Sequence, residues 1–412
     1  MSSENSSSEK LNWVEKQFRM KELGTNVKKE TLAGITTFVS MAYILFVNPS
    51  VLGASGMDKG AVFTATALSA ILGCLLMAFL ANYPIAIAPG LGDNAFFTYS
   101  VVLAMGIKWQ TALAGVVVAS IIFTILTFFK IREIVINAIP HNLKLAMAAG
   151  IGMFIAFIGL QGGGLVVASK SSLVQLGSLT VPTTWLTIFG LFVTALLMAR
   201  KVPGSIFIGI VATAILGLVT GLIKAPSQIV SSIPSMKPTF AVGIKHLGDV
   251  NTPQMWAVVL IFLLVAFFDT AGTLIGLAQQ AGLMKNDKMP RIGQALMADS
   301  VSMLAGSVMG TTPTAAYVES SAGIAVGGRT GFTALVVAVL FGFGMFFSPL
   351  LSVVTTQVTA PALIIVGALM AQSLKEIEWD KFEIALPAFL TVIAMPLTYN
   401  ISYGFAFAFL IY

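Results

Sequence analysis

The stretch GTTPTAAYVESSAGIAVGGRTG, residues 310–331, decides how this chain is read. Apolar runs flank it on both sides, yet it holds Pro313, Glu319 and Gly323, then Gly327, Gly328 and Arg329. A straight membrane-spanning helix avoids such residues. A carboxylate in lipid is costly, and a backbone broken by proline and glycine leaves amide and carbonyl groups without helical partners. Both are tolerated where the segment is buried in protein or lines a polar cavity. The stretch therefore reads as a half-helix ending at a binding site near the middle of the membrane, with Glu319 facing the ligand.

The surrounding composition agrees. Of 412 residues 57% are hydrophobic and only 10% charged, with a mean hydropathy of +0.92, which leaves too little polar surface for a soluble domain. The class is an all-α polytopic membrane protein. Cys74 stands alone in an apolar run, and His141 and His246 fall in expected loops. Disulfides, a cysteine-based metal site and a nucleophile–base pair are therefore not expected, nor is a cofactor. Residues 1–30 are polar without an apolar core and read as a cytoplasmic, partly helical leader, with Trp13 and Phe18 at the interface. The net charge of +6 is spread over short loops, a pattern that fits membrane topology rather than nucleic-acid binding.

Hydrophobic runs predict spans at 31–50, 61–81, 85–105, 111–129, 142–161, 184–199, 204–223, 254–282, 292–309, 312–327, 330–348, 353–372, 383–397 and 400–412. With the N-terminus inside, 17 of the 23 Lys and Arg residues fall on inner segments and six on outer ones, as the positive-inside rule requires. An extracellular connector over 224–253 separates a first half (31–223) from a second (254–412), whose last run is cut short by the end of the chain. Seven spans per half make the halves inverted repeats. The third span of the first half holds APGLGDNAFF (Ala88–Phe97), and the third of the second half is the opening stretch, so both are broken. The junctions KVPGSIFIG (Lys201–Gly209) and MPLTYNISYG (Met395–Gly404) echo each other too. Broken spans at matching positions of inverted halves point to a transporter site, with half-helix amides aimed at the ligand.

Four acids lie within the predicted spans, Asp93, Asp269, Asp299 and Glu319, the other thirteen falling in the leader or loops. Each costs a few kcal/mol at a helix centre and needs a reason. Asp269 shares a helix face with Thr273, and reads either as a protonatable group beside the ligand or as a cap for a broken helix. Gly272 and Gly276 would let another helix approach there. Glu319, beside Ser320 and Ser321, reads as a ligand-binding group. Asp299 serves either coupling or the anchoring of a helix end, and Asp93 with Asn94 either ligand binding or a turn. Arg329 closes the inner end of the broken span or meets the ligand. Phe96, Phe97, Tyr99 and Tyr317 pack, or stack on a flat ligand.

GITTFVSMAYILFVNPSVL (Gly34–Leu52), APGLGDNAFFTYSVV (Ala88–Val102), FFDTAGTLIG (Phe267–Gly276) and YVESSAGIAVGGRTG (Tyr317–Gly331) together resemble the AzgA-like purine permeases of the nucleobase–cation symporter-2 (nucleobase/ascorbate transporter) superfamily. The resemblance runs from about residue 25 to the end. It implies fourteen spans as two inverted repeats of seven, divided into core and gate domains, and proton-coupled uptake of hypoxanthine, guanine, xanthine or adenine. It makes Glu319 the residue that hydrogen-bonds the purine, Asp269 the one linked to substrate and proton, and Asn94 the asparagine of the NAFF motif. Two positions depart from the pattern: Ala266 stands where a second acid is usual, and Asp93 where an aliphatic residue is. The carboxylate is thus expected to have moved across the cavity.

A flat purine with donors and acceptors on its rim suits a carboxylate that accepts two N–H bonds, the role expected of Glu319. Backbone amides near Gly92–Ala95 and Ala315–Tyr317 would meet the acceptor edge. The expected substrate site is therefore Glu319, Asp269, Asn94, Asp93, Thr273, Phe96, Tyr317, Ala315 and Ala316, with Asp269, Glu319 and Asp299 coupling protons. The expected partners are a purine nucleobase, H+ (Na+ being the alternative ion), the lipid bilayer and, for assembly, a second copy of the chain. The rival reading is an anion carrier of the same fold, disfavoured by an acidic midplane. A channel would need a continuous polar stripe, which most spans lack.

Overall fold

The computed structural model describes residues 13–131, 140–284 and 289–411, without the side chains of Phe268, Ala271, Gly272 and Phe409. The leader before Trp13, four of the cations expected on the inner side (Lys10, Arg132, Lys285 and Lys288), the approach expected at Gly272 and Tyr412 lie outside the described residues. Among the described residues seven helices are long and apolar enough to cross a membrane: Val27–Gly53, Lys59–Ala81, Trp109–Phe128, His141–Gly162, Pro182–Ala199, Gly331–Ser352 and Thr356–Glu376. Helices at Ser205–Val219, Pro253–Gln280, Ile292–Met309, Phe382–Thr398 and Ile401–Ile411 complete the unbroken spans. The two broken spans fall where the sequence predicts them.

Two expectations need correction. The first span starts at Val27, inside the expected leader, where Asn26 caps it by accepting from Lys29 N–H at 3.0 Å. Glu30 is consequently a fully buried residue of that span, not of a solvated leader. Short strands β1 (Ile87–Pro89), β2 (Val166–Ser169), β3 (Leu173–Leu176) and β4 (Thr314–Ala316) pair β1 with β4 and β2 with β3, both antiparallel. At Gly276 an added Cβ would meet nothing within 4 Å, so no helix approaches closely there.

The spans sort into two bundles. The first, second, fourth, eighth, ninth and eleventh pack around the two broken spans, forming the core, while the fifth, sixth, seventh, twelfth, thirteenth and fourteenth form the gate. Without a hydrophobic force between helices in lipid, close approach at small residues holds such bundles together. In the gate, a Cβ at Gly152 of the fifth span would lie 2.8 Å from the Gly367 carbonyl oxygen of the twelfth, so only glycine fits. Both echoing junctions turn through left-handed residues, Lys201 and Gly204 in one and Tyr399 in the other.

Segments between spans also pack against the core. Thr64 of the second span donates to the Pro234 carbonyl at 2.9 Å, and the Ala241 amide of the connector donates to Val308 of the ninth at 2.7 Å. Phe18 is buried, edge-on to Phe332 at 5.5 Å, rather than lying at the interface, whereas Trp13 is exposed. Asn82, in the left-handed region, fixes this latch: its amide group donates to Phe18 O at 3.0 Å and its oxygen accepts from Gly331 N–H at 2.7 Å.

Candidate functional site

The backbone of the two broken spans builds the site. In the β1–β4 pair Ala88 stands opposite Ala315, bracketed by Gly90 N–H to Pro313 O and Tyr317 N–H to Ala86 O, both 2.9 Å. This phase puts Pro89 opposite Thr314 at a non-hydrogen-bonded position, where its missing N–H costs nothing. The alanines are buried, and their small side chains let the eighth span pack along β4. Each strand then turns into a half-helix: Leu91–Ala95, which continues as a π-helix over Phe96–Ala104, and Ser320–Ala325.

Glu319 sits at the entry to the second half-helix, half-buried, and its Oε1 accepts from the Tyr43 hydroxyl at 2.5 Å. Tyr43 is buried at the break in the first span, between Val27–Met41 and Ile44–Gly53. Asp269 lies on the eighth span, which Gln280 ties to the second half-helix by donating to Ser321 O at 3.2 Å. Asp269 is within electrostatic reach of Glu319, Tyr43, Tyr317 and Asp299, so the acids form one group around it. Thr273, one turn further on, is half-buried as Asp269 is. Asp93, Asn94 and Asp299 are fully buried, and Asn94 Oδ1 accepts from the Thr312 hydroxyl, leaving its Nδ2 without a partner among the described residues.

Several expected ligands make framework contacts. Phe96 is fully buried with its ring against Phe262 at 4.8 Å, so it packs the core rather than offering a face. Tyr317 donates its hydroxyl to Pro89 O at 2.5 Å and its amide to Ala86, pinning the strand pair at both ends. The register places Ala315 in the same hydrogen-bonded phase, so of the three amides from Ala315 to Tyr317 only that of Ala316 faces away from β1. The amides of Ser320, Ser321 and Ala322 are likewise spent, on the carbonyls of Tyr317, Val318 and Glu319. A tight turn at Val318–Glu319 closes these bonds before a ligand could. In the first broken span, by contrast, the Leu91, Gly92 and Asp93 amides have no backbone partner among the described residues.

Arg329 closes the end of the second half-helix, with Nη1 donating to Ile324 O and Gly328 O at 2.7 Å each. Its amide and that of Thr330 are held by Glu30, which also accepts from Thr333 at 2.6 Å. The first span thus grips the second broken span at both ends, through Tyr43 and Glu30. Sequence reasoning missed both residues. Glu30 shares a helical face with Gly34 and Thr37, a visible signal. The break at Ala42–Tyr43 has neither glycine nor proline and gave none. Asn48, donating to Thr66 and Thr311 at 2.7 and 2.9 Å, was hidden in an apolar run.

Two interrupted spans, paired through their backbones inside a membrane bundle and ringed by acids, are the framework of a membrane carrier. Solved structures share the shape. The transmembrane domain of the cyanobacterial bicarbonate transporter BicA matches with a TM-score of 0.68 at 16% identity, over 92% of this chain and 97% of that one. SLC26A9 matches at 0.64 and 12%, over 93% of this chain and 64% of its own. The chain belongs to the Xan_ur_permease family of permeases, whose family model matches residues 28–407. It is 55% identical over 404 residues to the guanine/hypoxanthine permease PbuG of Bacillus subtilis, covering 96% of this chain and 92% of that protein. It is 42% identical to the adenine permease AdeQ of Escherichia coli over 398 residues, 96% and 88% of the two. It is thus a permease, not an enzyme.

Proposed function

We propose that this chain carries purine nucleobases, guanine and hypoxanthine foremost, across the cell membrane together with protons, with its N-terminus in the cytoplasm. The observation that carries the reading is the Glu319 carboxylate at the mouth of a half-helix. One of its oxygens is held by Tyr43, which leaves lone pairs for the rim N–H groups of a purine. The unpartnered Asn94 Nδ2 and the amides of Leu91–Asp93 are donors for the acceptor edge. Support for purines comes from the names of the relatives, and support for the orientation from the excess of basic residues on the inner loops. Transport would follow from the core moving against the gate, whose tie to it includes the Ile401 amide donating to Ser100 Oγ at 3.3 Å.

The structural neighbours transport anions, which makes an anion the second reading. Against it, the site gathers four acids, Asp93, Asp269, Asp299 and Glu319, where an anion would be repelled. Uptake of radiolabelled hypoxanthine in a strain lacking its own purine permeases separates the two. Unlabelled guanine should abolish it while uracil and sulfate leave it intact; inhibition by sulfate alone would favour the anion reading.

A further inference from the structure

Asp93 is the residue the transport reading leaves without a task. It is fully buried, and neither carboxyl oxygen has a hydrogen-bond donor among the described residues. A carboxylate serving a turn or a cap would accept from backbone amides, as Glu30 does; Asp93 does not, and the residue before its half-helix is Gly90. A lone buried carboxylate costs several kcal/mol, a cost that binding a proton there would offset.

Its neighbour identifies that ligand. A Cβ built on Gly90 would lie 3.0 Å from Asp93 Oδ2 and 3.2 Å from Asp269 Oδ2. The two carboxyl oxygens therefore sit within about 6 Å of each other, one from each inverted half, where two negative charges repel strongly. Asp299 of the ninth span adds a third charge that reaches both, and Glu319, Tyr43 and Tyr317 face Asp269 from the second broken span and the first. Among the described residues no ion pair brings Lys, Arg or His to Asp93 or Asp269.

We infer that Asp93 and Asp269 form a single proton-binding pair, the element through which proton movement is coupled to purine movement. This rests on the proton-coupled reading above. One O–H bond forms on uptake and breaks on release, and the charge of the pair changes from −2 to −1 and back. The first broken span and the eighth span both belong to the core, so the proton travels with the substrate site. Purine binding at Glu319 then senses the pair through the field of Asp269.

The test uses the full chain in proteoliposomes with radiolabelled hypoxanthine, as wild type, Asp93→Asn, Asp93→Leu and Asp93→Glu. Accumulation under a pH gradient, acid outside, is compared with counterflow exchange under no gradient. With one proton per purine, each pH unit supports about tenfold accumulation in the wild type. In Asp93→Asn, accumulation and the pH dependence of exchange should be lost to a far greater extent than the exchange rate itself, and Asp93→Glu should regain both. Accumulation by Asp93→Asn at the wild-type level would overturn the pair and leave proton-coupled purine transport standing. Loss of exchange in correctly inserted Asp93→Asn and Asp93→Leu alike would make Asp93 a substrate or structural residue, also overturning it. A wild type that exchanges hypoxanthine but responds only to a Na+ gradient would overturn proton coupling and the pair together.

Discussion

Replacing Tyr43 by phenylalanine deletes one hydroxyl and keeps the buried ring. The bond lost is the 2.5 Å O–H···O contact to Glu319 Oε1. Hydrogen bonds to an ionised partner contribute about 1.5–3 kcal/mol. In the proposed site the purine needs the Glu319 carboxylate held in one orientation, so most of that energy should appear in binding. At about 1.4 kcal/mol per decade, the affinity for hypoxanthine should fall between about tenfold and a hundredfold. Vmax should change by less, since the hydroxyl touches no element that moves between core and gate. Initial-rate uptake gives KM and Vmax, and equilibrium binding to the purified variant gives Kd. A KM within twofold of wild type, at normal membrane levels, would show that Tyr43 does not position Glu319. A double-mutant cycle with Glu319→Gln adds a check, because the two losses should fall well short of additive.

Other outcomes follow from the same contacts. Glu30→Gln removes the charge that gathers the Arg329 and Thr330 amides and the Thr333 hydroxyl, and should lower stability by about 2–3 kcal/mol, read as a lower thermal midpoint in detergent. Thr312→Val leaves Asn94 without its donor and should reduce hypoxanthine affinity with little change in folded yield, measured by binding and by size-exclusion profile. Gly367→Leu drives a side chain into the fifth span and should abolish folded protein, whereas Gly276→Ala, facing open space, should be silent in uptake. Phe18→Ala should cost about 3 kcal/mol of stability with KM unchanged, since Phe18 packs on Phe332 far from the acids.

The architecture was legible because lipid imposes it: apolar runs of fixed length, short basic loops and two matching interruptions leave few alternatives. The acids were legible for the same reason, since Asp269, Asp299, Glu319 and Asp93 each stand out against an apolar helix. What the sequence hid was how backbone groups are spent. Prolines and glycines announced that 87–95 and 313–319 are broken, but not that the breaks pair as strands and consume the Ala315 and Tyr317 amides. Phe96 and Tyr317 illustrate a second limit. An aromatic residue beside a break can stack on a ligand or brace the framework, and only the partners, Phe262 and the Pro89 carbonyl, decide. Tyr43 lay in SMAYILFVNPS with no local mark, because its importance comes from a residue 276 positions away.

Equilibrium binding of radiolabelled hypoxanthine to the purified protein, with and without Glu319→Gln, bears most directly on the claim that paired broken spans present an acidic clamp to a purine. Wild type should bind saturably, with guanine displacing the label and sulfate failing to do so. Glu319→Gln should weaken binding at least about a hundredfold, since an amide cannot accept both rim N–H bonds. Equal affinity in the two proteins would contradict the clamp and move the substrate site elsewhere in the core.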